Sequence, residues 1–146
     1  MKYNSLILLT VFGIASFAAN ADVTNAEKLA LKFTNIAHQI NPEFKAPSVA
    51  DGKLFFNRKF NVKGKEIACA SCHTTNPADE GKHIITGKAI RPLSPSVNEH
   101  RFTDIEKVED KFVEHCNDIL GTDCTAAEKA NFIAYLMTEK TPSAKK

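Results

Sequence analysis

Cys69-Ala70-Ser71-Cys72-His73 decides how the chain is read. Two cysteines separated by two residues, with a histidine directly following, form the attachment pattern of a c-type haem. The spacing has a chemical reason. Thiols one helical turn apart can each bond one vinyl group on the same edge of a porphyrin. The next residue then lies under the iron, where an imidazole can ligate it. A Cys-x-x-Cys pair alone also fits a redox dithiol or half of a zinc site. The adjoining His73, together with an export signal upstream, favours haem over both. The rest of the chain is read by asking how it packs around, ligates or protects that group.

The chain has 146 residues, which suits one domain. Lys2 supplies a positive start, Leu6 to Ala19 is an uncharged apolar run, and Ala19-Asn20-Ala21 is a signal-peptidase site. Residues 1–21 are therefore expected to be a signal peptide cut after Ala21, leaving 22–146 as a single exported, periplasmic domain. The apolar run is shorter than the ~20 residues of a spanning helix, so no stable membrane association is expected. In an oxidising compartment four cysteines form two consistent pairs. Cys69 and Cys72 go to haem, and Cys116 and Cys124 remain as an expected disulfide. The formal charge is +2. Losing Lys2 and gaining two haem propionates brings the mature protein close to neutrality, which does not suggest nucleic acid or an anionic membrane as partner. With no Trp, the protein core is thin, and a buried porphyrin would supply apolar volume.

The fold class read from the pattern is all-α. Thr24 and Glu27 form a capping box for a first helix with a stripe of Leu29, Phe33, Ile36 and Ile40, ended by Asn41-Pro42. His38 falls opposite that stripe and is expected in solvent. Ser48 caps a second helix whose apolar part is Leu54, Phe55 and Phe56, and Gly52 in it suggests close approach to another helix. Residues 60–68 read as a basic loop. The stretch from Thr74 to Val97 has little periodicity and becomes plausible if wrapped against haem, with Lys88 and Arg91 as candidates for propionate contact. His83 and His100 show no pattern and are not expected to ligate. Thr103 and Glu106 predict a capping box for a long helix with a stripe of Ile105, Val108, Phe112, Cys116 and Ile119, ended by Gly121. His115 lies on the flank of that stripe. Such a histidine is either a satisfied core residue or the sixth ligand of an iron already held by His73. Thr125 and Glu128 open the last helix, with Phe132, Ile133 and Leu136 on its apolar face. Met137, the only methionine left after signal removal, is a ligand type of cytochromes c, but its position favours a helix-edge residue. The tail from Thr141 to Lys146 is polar and expected to fray.

These residues carry a resemblance. Gly52-Lys53-Leu54-Phe55-Phe56, Cys69–His73 and Phe132-Ile133-Ala134-Tyr135-Leu136 resemble the class I cytochrome c pattern, in which the first helix of the core and the last helix cross tightly at a glycine. A narrower match runs through Asp22-Val23-Thr24-Asn25-Ala26-Glu27-Lys28, the haem motif, Arg101-Phe102-Thr103-Asp104 and His115-Cys116-Asn117-Asp118-Ile119-Leu120-Gly121. It is similar to the cytochrome c-double-prime family, monohaem proteins related to high-spin cytochromes that carry asparagine at the distal position. The resemblance implies a class I-like helical fold around one covalent haem c, with an extra N-terminal helix. It implies His73 as proximal and His115 as distal iron ligand, and a Cys116–Cys124 disulfide. Histidine at the distal position departs from the asparagine branch.

The function expected from this reading is periplasmic electron transfer by a monomer, with bis-histidine haem in the ferric state and unidentified redox proteins as partners. Detachment of His115 on reduction, with proton uptake, is a further expectation. No nucleophile or acid–base constellation suggests an enzyme. The alternative is a haem protein that binds or reduces a small gas (carbon monoxide, nitric oxide or oxygen) at an openable distal site.

Overall fold

The computed structural model describes residues 18–144. Most of the expected signal peptide, residues 1–17, lies outside the described residues. Among the described residues five helices carry the fold: α1 (Ala18–Ile40), α2 (Val49–Asn57), α3 (Ala70–His73), α4 (Ile105–Leu120) and α5 (Ala126–Thr138). Two short antiparallel pairs interrupt them, β1 (Phe60–Val62) with β2 (Lys65–Ile67) and β3 (Gly81–Lys82) with β4 (Ala89–Ile90). The helical class holds, with α1 as the added N-terminal helix.

α1 starts upstream of its expected cap, and Thr24 sits inside the helix. A cap acts only where the chain leaves helical geometry, and in the uncleaved chain Ala18, Ala19 and Ala21, which belong to the expected signal peptide, are strong helix formers that carry the helix past it. The buried face is also rotated from the expected stripe. Ala26, Leu29, Ala30, Phe33 and Ala37 are buried, whereas Ile36 and Ile40 are exposed, Ile40 at 77%. The alanines let α1 lie close against α5, so small residues rather than the large ones mark the contact. Asn25 Nδ2 donates to the Phe102 carbonyl at 3.1 Å and fixes the start of α1 on the chain before α4.

α2 opens at Ser48, whose hydroxyl accepts from the Asp51 N–H at 3.1 Å. It buries Phe55 and Phe56 against α5, but Leu54 is 67% exposed and takes no part in the core. The expected loop at 60–68 is instead a hairpin. Lys63 and Gly64 have φ of 51° and 81°, and two consecutive left-handed residues make the turn whose twist matches paired strands. α4 is capped by Asp104, one residue later than the expected Thr103. The Asp104 carboxylate accepts from the Lys107 N–H at 3.0 Å, while the Thr103 hydroxyl is engaged with the His100 carbonyl. Gly121, at φ 77°, closes α4, and the Thr125–Glu128 box opens α5 with both reciprocal bonds present.

The core is an aromatic chain with Phe132 at its centre. Its ring meets Phe55, Phe56 and Phe112 at centroid distances of 6.5, 5.8 and 5.5 Å. Phe112 reaches on to Phe33 at 5.9 Å, and Phe56 to Tyr135 at 5.6 Å. One side chain of α5 thus joins α1, α2 and α4. Mostly edge-on pairs of this kind add to the burial term by about 0.5–1.5 kcal/mol each.

The long segment after α3 is held by hydrogen bonds. Leu93 and Ser94 N–H both donate to Pro77 O, and the buried Ser94 hydroxyl donates to Glu139 O beyond α5. Nor is the tail loose from Thr141. Asn76 Nδ2 donates to Thr141 O at 3.0 Å, and Ser143 N–H donates to Asp79 Oδ1 at 2.6 Å. Among the described residues no helix is long and apolar enough to cross a membrane.

Candidate functional site

α3 is one turn long and carries Cys72 and His73, with Cys69 as the residue before it. The His73 N–H closes on Cys69 O at 3.1 Å, and the Ser71 hydroxyl accepts from the Ala68 N–H at 2.9 Å. That local helix puts the two thiols on one turn with the imidazole next in line. Both thiols are unbonded and half-buried. The turn stops abruptly at Thr74, whose φ of 59° is a conformation that β-branched residues rarely adopt. Such a residue costs of order 1–3 kcal/mol and persists only where its surroundings fix it. Here the Thr74 hydroxyl donates to Asn76 O at 2.9 Å, and Tyr135 Oη donates to Thr75 O at 3.1 Å from α5.

Gly81 supports the other side of the turn. A Cβ at this position would lie 2.3 Å from Cys72 O and 3.0 Å from His73 Cα, so β3 touches the backbone of the motif directly.

Burial pushes the Cys69 thiol up to about 11, so it stays protonated at neutral pH. His73 is held down to about 4, first by burial, then by the charges of His115 and Arg101. A neutral imidazole has a lone pair free to bind a metal. His115 is lowered as well, and burial is again the first cause. Its ring remains open to solvent, but the protein beneath it is enough to disfavour the imidazolium. Glu114 and Asp118 pull the other way, their carboxylates grouped with the His115 ring so that the three donor atoms lie within 4.8 Å of one another.

The expected residues are therefore brought together in part by sequence and in part by fold. Cys69, Cys72 and His73 share one turn. His115, from α4, comes within electrostatic reach of His73. Next to it in sequence, Cys116 is bonded to Cys124, with Cα atoms 5.5 Å apart. This links the last turn of α4 to the residue before the α5 cap. Met137 packs at the edge of the core. His83 is a turn residue whose Nδ1 accepts from Ile85 and Thr86 N–H, while His38 and His100 are exposed. The donor set, two thiols on one turn with a neutral imidazole beside them and a second across from α4, fits a covalently held haem.

Three positions escaped the sequence reading. Arg101, whose guanidinium lies 5.0 Å from the Phe102 ring centroid, acts on both imidazoles. Gly81 looks like any loop glycine, and nothing in its neighbours announces the contact with Cys72. Thr74 has a residue type that argues against its conformation.

A family model described as "Domain of unknown function (DUF1924)" matches residues 42–136. Cytochrome c'' of Methylophilus methylotrophus is 65% identical over 145 residues, covering 98% of this chain and 99% of that one. The crystal structure of its oxidized form superposes with a TM-score of 0.81 at 68% identity, over 84% of this chain and all of that one. Its solution structure, which concerns haem-ligand detachment in that protein, gives 0.79 over the same shares. The structure of oxidized SHP, an oxygen-binding cytochrome c, gives 0.68 at 30% identity, over 77% and 96% of the two chains. With near-complete coverage at this identity, and with a helical fold whose donor set suits a covalent haem, the chain belongs to the cytochrome c'' family of c-type haem proteins.

Proposed function

We propose that this protein is a periplasmic electron carrier. Cys69 and Cys72 bond the haem, His73 binds its iron on one side, and His115 binds the other side in the ferric state. In this reading residues 1–21 are removed after Ala21 and 22–146 act as one monohaem domain. It works as a monomer that meets redox proteins, with no role for nucleic acid and no stable membrane association. The observation that carries the reading is a Cys-x-x-Cys-His turn with a second neutral imidazole within electrostatic reach of its histidine. The haem supplies a one-electron centre, and the chain tunes it through ligand identity, burial and nearby charge.

On reduction His115 leaves the iron and takes a proton on the ring nitrogen it frees. Its open ring and the adjacent Glu114 and Asp118 carboxylates support this. So does the kinship with a protein whose solution structure concerns ligand detachment. His115 then has room to move while Cys116, beside it, stays tied to Cys124. A second reading, binding or reduction of a small gas at the opened position, is favoured by the likeness to oxygen-binding SHP.

Mass spectrometry of exported protein tests the core of the proposal. One haem should survive acid denaturation, and Cys69→Ala with Cys72→Ala should abolish it. Haem that extracts into acidified organic solvent would refute covalent attachment. Visible spectra in both oxidation states report ligation, and carbon monoxide binding to the reduced form separates an open site from a closed one.

A further inference from the structure

The segment that follows the Cys69–His73 turn is tied to the C-terminal tail at one residue, Asn76, all four of whose polar atoms are engaged. Its carbonyl accepts from the Thr74 hydroxyl at 2.9 Å and from the Asp79 N–H at 2.9 Å, and its N–H donates back to the Thr74 hydroxyl at 3.3 Å. Its Oδ1 accepts from the Ala78 N–H at 3.0 Å. Its Nδ2 spans 65 residues of sequence to donate to the Thr141 carbonyl at 3.0 Å and to the Ser143 hydroxyl at 3.2 Å. The Ser143 N–H returns to Asp79 Oδ1 at 2.6 Å, and the Ser94 hydroxyl, donating to the Glu139 carbonyl, pins the tail a second time. The circuit closes through Pro77, next to Asn76, whose carbonyl accepts from both Leu93 and Ser94 N–H. Residues 139–143 are thus a strap fastened to the segment after the turn.

The strap acts where the backbone is most constrained. Thr74 shares a peptide bond with His73 and holds a φ of 59°. A β-branched residue keeps that conformation only while its surroundings impose it. Both hydrogen bonds of the Thr74 hydroxyl go to Asn76, and each alone stabilises little. Asn76 is half-buried, and its other anchor is a tail whose residues 141–143 are exposed. A group that fixes how a ligand is held tunes a metal without touching it. Any relaxation of Thr74 passes to the imidazole through the peptide the two residues share.

We propose that Asn76 and the strap 139–143 are a positioning device for the iron ligand His73. Asn76 is the positioning residue. It holds Thr74 on one side and the tail on the other, so the orientation of the imidazole depends on a segment far from it in sequence. This rests on His73 binding haem iron, as proposed above. On that reading His73 is the one protein ligand left when His115 detaches, so its placement matters most in the reduced state.

The test uses the haem-loaded protein and separates the two roles of Asn76. Asn76→Ser keeps a hydroxyl that can accept from the N–H two residues on, but it is too short to reach the tail. A chain ending at Lys140 removes the tail's acceptors instead, and Lys145→Gln with Lys146→Gln controls for the charge lost with them. Asn76→Ser and the truncation should both keep covalent haem by mass. Each should shift the electron paramagnetic resonance g-values of the ferric form and the reduction potential, at temperatures well below unfolding. Combined, they should shift both no further than the truncation alone, because they break the same contacts. Variants that lose only thermal stability, with g-values and potential matching their controls, overturn the proposal. So do shifts that simply add in the combined variant, and so does an Asn76 side-chain amide that shows no NMR cross-relaxation to Thr141 or Ser143 in the unmodified ferric protein. Should one variant yield no holoprotein, the other decides by the same two readouts. An unmodified protein without covalent haem by mass removes the ligand reading itself, a failure distinct from an unmoved spectrum.

Discussion

Gly52 in α2 and Asn131 in α5 meet backbone to backbone. A Cβ on residue 52 would lie 2.0 Å from the Asn131 carbonyl oxygen and 3.0 Å from Tyr135 Cβ. The contact is locked from both sides, because the buried Asn131 Oδ1 accepts from the N–H of the α2 cap, Ser48, at 2.8 Å. Two helices far apart in sequence are thus held at a separation that only glycine permits.

Gly52→Ala should therefore destabilise the holoprotein by about 1–3 kcal/mol, the usual cost of overpacking. Helix propensity alone predicts the reverse, a gain of about 1 kcal/mol for Ala over Gly. Denaturant titration gives the sign directly, and a more stable variant would show that the helices are free to separate.

Gly81→Ala should act on the Cys69–His73 turn. The added methyl meets Cys72 O at 2.3 Å, so either β3 or the Cys72–His73 backbone must move. The expected result is a lower yield of holoprotein, and in what forms, a changed ferric spectrum and potential. Gly64→Ala serves as the comparison, since nothing lies within 4 Å of its Cβ position. It strains only the hairpin turn and should leave the spectrum alone.

Opening the Cys116–Cys124 bond should cost about 2.5 kcal/mol in the chain-entropy account of so small a loop. Cys116→Ser with Cys124→Ser, compared by thermal melting with the unmodified holoprotein, measures it. Alkylation of the purified, unreduced protein should label neither cysteine.

The potential should depend on pH in one direction. Ligated, His115 cannot accept a proton on its iron-facing nitrogen; detached in the reduced state, it can. Lower pH then favours the reduced state, and the potential rises as pH falls through the pKa of free His115. Burial lowers that pKa below its ordinary value of 6.5, so the rise begins on the acid side of it and the potential is flat above. The limiting slope is about 59 mV per unit for one proton and one electron. A reduced form that stays low-spin and excludes carbon monoxide, with a flat potential throughout, would rule out the switch.

Met137→Leu should leave the ferric spectrum and spin state unchanged, because Met137 packs at the core edge. Loss of low-spin character in this variant would return Met137 as a candidate ligand in place of His115.

How far the chain can be read without coordinates varies by element. Cys69–His73 carries its geometry in its spacing, since one helical turn is all it requires. The Thr125 box and the Gly121 stop are local and hold. Thr24 and Thr103 satisfy the same cap pattern, yet one is overrun by alanines upstream and the other is displaced by the better-placed carboxylate of Asp104. Ile36, Ile40 and Leu54 are apolar but exposed, because the close contact of α1 is made by alanines that no hydrophobic stripe weights. The Lys63-Gly64 turn was legible as a two-residue hairpin loop and is hidden only by the basic residues around it. The reach of Arg101 to both histidines and the touch of Gly81 on Cys72 depend on contacts between distant segments, and local pattern does not encode those.

Phe132, Tyr135 and Asn131 all belong to the last helix, and through them α5 contacts α1, α2, α4 and the residue two after His73. Contacts between elements so far apart in the chain form late, because a long loop must close before they are rewarded. Until α5 docks, Thr75 lacks its bond from Tyr135, and Phe55 and Phe56 lack Phe132 as a partner. The order of assembly therefore leaves the thiols of Cys69 and Cys72 accessible for as long as the chain is incomplete, and the closing of the core is what ends that interval.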